Sequence, residues 1–167
     1  MVEPLGLIAE SLTFIFPAYC ANAIPVLAGG GRPLDFGREF IDGRPILGKN
    51  KTFRGFISGL IAGTTVGLIE SWLLNYPPLF GFFMSIGALM GDLTGAFAKR
   101  RIGLSSGEPL PVVDQLSFLI GAILFSFPIF WNRLSWELVA VAISVTLPIH
   151  VLTNFAAYKV GLKSHPW

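Results

Sequence analysis

The sequence predicts an all-α, polytopic membrane protein. It is expected to form a single transmembrane domain over residues 1–167, with five transmembrane helices, the N-terminus outside and the C-terminus cytoplasmic. Three observations carry this expectation. Hydrophobic residues make up 53% of the chain and charged residues only 13%, where a soluble domain carries about a quarter charged residues. Five apolar runs have about the length that a bilayer requires. Eleven of the twelve Lys and Arg residues fall on segments that this topology places on one side, and short basic loops stay in the cytoplasm.

The first span is expected over residues 5–28. Glu3 is the only charge ahead of it, where a cleavable signal would carry bases, so no signal peptide is expected. Cys20, the single cysteine, lies in this run, which excludes a disulfide framework and a CxxC metal site. A long polar loop over 29–55 holds Arg32, Arg38, Arg44, Lys49, Lys51 and Arg54. Spans 56–74 and 79–98 follow as a tight helical hairpin, because their connection is very short. Gly55, Gly59, Gly63 and Gly67 on one, and Gly87, Gly91 and Gly95 on the other, recur every four residues. That spacing lets helix backbones approach closely in lipid. A second polar loop, 99–115, opens with Lys99, Arg100 and Arg101. Spans 116–131 and 138–158 complete the set, and Lys159 and Lys163 lie beyond the last one. Only Arg133 falls on the opposite side.

The chemistry concentrates on the basic side. Asp92 precedes Lys99 by seven residues, which puts it on the same helix face about 10 Å inside the membrane end of its span. An ionisable group there costs about 2.5–3.5 kcal/mol, so it must face a polar cavity, a metal or a cation. A purely structural Asp–Lys or Asp–Arg pair is the alternative. Asp114 falls at the N-cap or first turn of the fourth span, where simple capping competes with a chemical role. Two carboxylates at one membrane mouth, surrounded by bases, match the needs of Mg²⁺-assisted chemistry on a polyphosphate. In the first loop, GKNKTFRG gathers Lys49, Lys51 and Arg54 with Asn50 and Thr52 between them. These bases can bind a nucleotide or an anionic lipid, or can simply set topology. The overlapping GRPILGKN stretch nearly spells a phosphate-binding loop. However, it has Asn50 in place of Ser or Thr and no preceding strand, which excludes a P-loop NTPase.

Asn22 and Asn154 sit at a similar membrane depth and His150 one turn deeper on the face of Asn154, and each is open to a role as an interhelical hydrogen-bond partner. Glu10 and Glu70 read as interfacial groups near the outer ends of their spans. The only other histidine is His165, so a His-rich metal site and an HExxH motif are excluded. No Ser-His-Asp or Cys-His arrangement is present, which argues against an acyl-enzyme.

PAYCANAIPVL in the first span, GKNKTFRG before the second, and GDLTGAFAKRRIG followed by LPVVDQLSF together resemble the CDP-archaeol synthases. These are archaeal CTP-dependent cytidylyltransferases of ether-lipid synthesis, and the likeness covers most of the chain. The CTP:phosphatidate cytidylyltransferases are more distant relatives, longer and with more spans. The resemblance implies that CTP and an unsaturated archaetidic acid, an ether-lipid phosphate, give a CDP-lipid and pyrophosphate with Mg²⁺ as cofactor. The loops at 29–55 and 99–115 would form an active-site mouth facing the cytoplasm from the cell membrane. Asp92 and Asp114 are expected to bind the metal. Lys99, Arg100 and Arg101 are expected to hold triphosphate or lipid phosphate, with Lys99 in the catalytic set. Lys49, Lys51 and Arg54 would complete the anionic pocket, with Asn50 and Thr52 as hydrogen-bond partners. Asn22 and Gln115 are expected to contact nucleotide or head group. No nucleic-acid partner is expected, and the sequence leaves a homodimer open.

Two rival classes make different demands. A CDP-alcohol phosphotransferase would carry a dense acidic DxxDGxxAR signature, which is missing. A transporter or channel would place polar residues across the full bilayer depth, whereas these cluster in one half.

Overall fold

A computed structural model describes residues 3–162; Lys163 and His165 lie outside the described residues. Five helices follow one another: α1 (Pro4–Ala28), α2 (Phe53–Leu74), α3 (Phe80–Arg101), α4 (Val113–Phe130) and α5 (Trp136–Lys159). They run for 18 to 25 residues, each long and apolar enough to cross a membrane, and the only extended pairings among the described residues are two isolated bridges in the first loop. The chain is therefore a multi-pass membrane protein. Trp72, Trp131 and Trp136 stand exposed at the end of the bundle away from the long loops, where amphipathic rings suit the membrane–water boundary.

Local chemistry sets the helix ends. Thr52 caps α2 by accepting from the Gly55 N–H at 3.1 Å, and Ser135 caps α5 by accepting from Leu138 N–H at 3.1 Å. Asn75 stops α2 in the left-handed conformation, φ 54°, which Asn tolerates better than most residues. Three helices extend by about a turn beyond their expected limits. Lys99, Arg100 and Arg101 form the last turn of α3 instead of opening the loop, because cations there offset the negative end of the helix dipole. Likewise α2 starts at Phe53 and α4 at Val113, so Asp114 lies inside the first turn of α4.

Packing centres on α3, which contacts α1, α2 and α4, while α5 rests on α1 and α4. The glycine ladders divide their work between neighbours. On α3, a Cβ at Gly91 would lie 2.1 Å from the Ser117 carbonyl oxygen of α4. On α2, a Cβ at Gly59 would lie 2.4 Å from the Ala21 carbonyl oxygen of α1. That carbonyl has lost its usual donor, because Pro25 has no N–H. Phe14, Phe80, Phe130 and Tyr76 stack at the far end of the bundle, with ring centroids 4.7 to 5.8 Å apart. Apolar packing thus fills one half of the bundle and leaves the loop-bearing half open.

Candidate active site

The open half holds a cavity of about 600 Å³, walled by α1, α2, α3, α5, both long loops and the start of α4. Its polar end carries Asn22, Asn50, Lys51, Thr52, Asp92, Lys99, Arg100 and Asp114, while Phe16, Val26, Leu27, Phe56 and Leu89 form apolar walls. Asp92, Lys99 and Arg100 reach it together because they lie on one face of α3, two turns apart along the axis.

Two ion pairs tie separate elements across this space. Lys51 of the first loop donates to Asp92 Oδ2 at 2.5 Å, and Lys99 of α3 lies 2.6 Å from Asp114 Oδ1 on α4. Lys99 also donates to the Glu108 carbonyl at 3.1 Å. Asp114 turns its other oxygen back to the Leu110 N–H at 2.8 Å, which holds the short segment entering α4. Val112 in that segment has φ 69°, a strained value for a β-branched residue and one that clusters at functional sites. Arg100 is only 3% exposed, and its Nε and Nη1 have no hydrogen-bond partner among the described residues.

The first loop is built to present Lys51. Asp35 is its knot, accepting N–H bonds from Gly37, Leu47 and Gly48, each at 2.9 Å. Burial acts to raise the Asp35 pKa, but these backbone donors outweigh it and hold the carboxyl below its ordinary value.

Arg101, expected to hold phosphate, has partners within the protein. Its guanidinium bonds to Asp42 and to the carbonyls of Arg44 and Pro45, and it lies 4.9 and 4.8 Å from the Phe40 and Phe97 ring centroids. Arg44 answers by donating to the carbonyls of Arg100 and Arg101. Arg101 thus fastens the loop to α3 from outside the cavity lining. Lys49, Arg54 and Gln115 do not line the cavity either, and the first two are exposed. Thr52 does line it, although its hydroxyl oxygen caps α2.

Several lining residues fall outside the predicted set. Tyr19 donates to Thr146 Oγ1 at 2.8 Å. His150 Nδ1 lies 3.0 Å from Asn154 Nδ2, with the Phe118 ring stacked over the imidazole. Both residues face the cavity, as do Ser106 and Glu108. Spacing on α5 marks His150 and Asn154 as one face, but nothing in the Gly/Ser/Pro loop singles out Glu108.

No three His, Cys, Asp or Glu side chains among the described residues cluster to form an all-protein metal cage. Asp92 and Asp114 nevertheless bring two hard oxygen donors to one cavity. That set suits Mg²⁺, which combines one or two carboxylates with waters and substrate phosphates.

Comparisons with known proteins agree with this architecture. A sequence model of the CarS-like CDP-archaeol synthase family matches residues 5–167. A CDP-archaeol synthase of Methanopyrus kandleri is 48% identical over 163 residues, covering 96% of this chain and 94% of the relative. That of Thermococcus gammatolerans is 46% identical, covering 94% and 95%, and that of Methanocaldococcus jannaschii 39%, covering 96% and 98%. A solved structure, described as an intramembrane enzyme for archaeal membrane lipid biosynthesis, superposes with a TM-score of 0.81 at 35% identity. It covers 88% of this chain and 94% of its own. With residues 5–167 matched by the family model and relatives aligned over more than nine-tenths of the chain, the chain belongs to the CDP-archaeol synthase family.

Proposed function

We propose that this protein transfers the cytidylyl group of CTP to an ether-lipid phosphate, an unsaturated archaetidic acid, giving a CDP-lipid and pyrophosphate. One observation carries the assignment of the site. Two carboxylate–lysine pairs from different elements border a cavity that is polar at the loops and apolar between the helices. A soluble nucleotide and a lipid head group can meet there.

The lipid phosphate oxygen is itself the nucleophile. It forms a bond to the α-phosphorus of CTP as the bond to the bridging oxygen breaks, and the electron pair leaves with pyrophosphate. No protein nucleophile is required, so the protein's work is to position the reactants and neutralise charge. Lys51, Lys99 and Arg100 bind phosphate oxygens, and Asn22 and Asn50 offer hydrogen bonds from α1 and the first loop. Asp92 and Asp114 would hold Mg²⁺, which would neutralise charge on the triphosphate. Lys49 and Arg54, exposed beside the mouth, contribute to the field that draws anions toward it.

The loops at 29–55 and 99–115 form the mouth and face the cytoplasm, with the N-terminus outside, because nearly all basic residues lie at that end. The deciding assay combines purified protein, labelled CTP, Mg²⁺ and a panel of lipid phosphates. CDP-lipid should form with archaetidic acid, and failure with every phosphatidic and archaetidic acid refutes the assignment.

A further inference from the structure

Beside the main cavity lies a second one of about 300 Å³, lined by Arg44 and Pro45 of the first loop, Arg100 of α3, and residues 103–106. Arg100 and Ser106 line both spaces. Gly48 stands at the partition, φ +96°, with its bare Cα against both residues. A Cβ there would lie 2.9 Å from Ser106 Oγ and 3.5 Å from Arg100 Nη1.

The charges in this partition are unbalanced. Among the described residues, Arg100 is buried with two unpartnered guanidinium nitrogens, and a buried guanidinium in that condition calls for an anion. The carboxylates acting on it have partners of their own: Asp114 is paired with Lys99, and Glu108 accepts from the Ser105 N–H at 2.8 Å. Arg44, which also lines this cavity, is held by the carbonyls of Arg100 and Arg101. Its guanidinium lies 3.5 Å from where a Gly103 Cβ would stand. Two guanidinium groups, with Ser106 beside them and Ser105 only at the exposed edge, therefore face a compartment suited to a small polyanion.

Its direction from the main cavity fits the chemistry. In-line displacement sends the leaving group away from the nucleophile. The lipid phosphate approaches from the apolar walls between the helices, so the leaving group departs toward the loops, where this compartment lies. We propose that the small cavity is an exit subsite for inorganic pyrophosphate, entered past Arg100. The proposal rests on the cytidylyl-transfer reading for the identity of the anion.

The test is a titration of pyrophosphate with Mg²⁺ into the purified full-length chain, with and without saturating CMP. Bound CMP should leave pyrophosphate affinity within about twofold, because the two occupy different compartments. Ser105→Glu, which puts a carboxylate at an exposed edge of the small cavity, should weaken pyrophosphate about tenfold or more and leave CMP affinity unchanged. Ser105→Ala should behave as the native chain. Displacement of pyrophosphate by CMP, unaltered affinity in Ser105→Glu, or an equal loss in Ser105→Ala overturns the subsite. CDP-lipid synthesis by the same native preparation separates the two claims. Its absence with pyrophosphate binding intact removes the transfer reading alone, whereas its presence with unaltered Ser105→Glu affinity removes the subsite alone.

Discussion

Lys51 and Asp92 meet at 2.5 Å, joining a loop residue to a carboxylate set about two and a half turns inside the end of α3. The contact brings together the two sequence segments richest in charge. It also leaves both side chains about 30% exposed to the cavity, 28% for Lys51 and 31% for Asp92, so each remains accessible to a ligand.

Asp92→Asn and Asp114→Asn remove negative charge with little change of shape. Each should lower turnover of labelled CTP by about 10²–10³-fold or more, the scale of losing one electrostatic contact in a transition state. Size-exclusion profile and helical circular dichroism should stay native. Near-normal turnover in either variant removes that carboxylate from the metal site.

Arg101→Lys tests the fastening of the loop. Lysine keeps the charge but lacks the planar fork that bonds Asp42 and two carbonyls at once. The 38–48 segment should then be cleaved by protease about tenfold faster, reflecting easier local opening. Catalysis should suffer mainly through a raised KM for CTP. A large fall in kcat with unaltered proteolysis would instead return Arg101 to the substrate.

Asp35 makes the loop sensitive to acid. Its folded pKa is held low by backbone N–H bonds against the effect of burial, so its stabilisation is complete above the ordinary aspartate pKa of about 4. It is lost as pH falls through the depressed folded value. Hydrogen exchange at Leu47 and Gly48 should therefore accelerate only in that acidic window. Asp35→Asn puts an N–H donor among donors and should produce the same loosening at neutral pH, at about 1–3 kcal/mol.

Gly91→Ala and Gly6→Ala make a matched pair. At Gly91 the new methyl meets the Ser117 carbonyl at 2.1 Å, whereas at Gly6 no atom of the described residues lies within 4 Å. The first should destabilise the bundle by about 1–3 kcal/mol, as overpacking does. The second should be neutral or slightly stabilising. Thermal unfolding in detergent distinguishes them, and equal midpoints would show that α3 and α4 separate without penalty.

Orientation is read by labelling introduced thiols in sealed membranes. Lys49→Cys should react with an impermeant maleimide only from the cytoplasmic face, and Arg133→Cys only from outside. The reverse pattern would invert the proposed topology.

The helices were legible because bilayer spans demand long apolar runs, and Asp92 was legible because a carboxylate inside one is expensive. Seven residues of helical spacing sufficed to put Asp92 and Lys99 on one face. The roles of neighbouring bases were harder to read. Arg100 and Arg101 are adjacent, yet a rotation of about 100° per residue sends one into the cavity and the other to the loop. Asp35 and Glu108 sit in irregular segments without periodicity, so only the folded chain reveals what they face.

Backbone contact on both sides of α3 has a further consequence. Gly81 meets Gly67 of α2, and Gly87 and Gly91 meet α4, with no flexible side chain between them to absorb a shift. The helix bearing Asp92, Lys99 and Arg100 therefore works as a ruler, with Asp92 and Lys99 graduated about 10 Å apart along its axis. A polyphosphate must match that scale, and the adjustment that admits it falls to the tethered loop carrying Lys51.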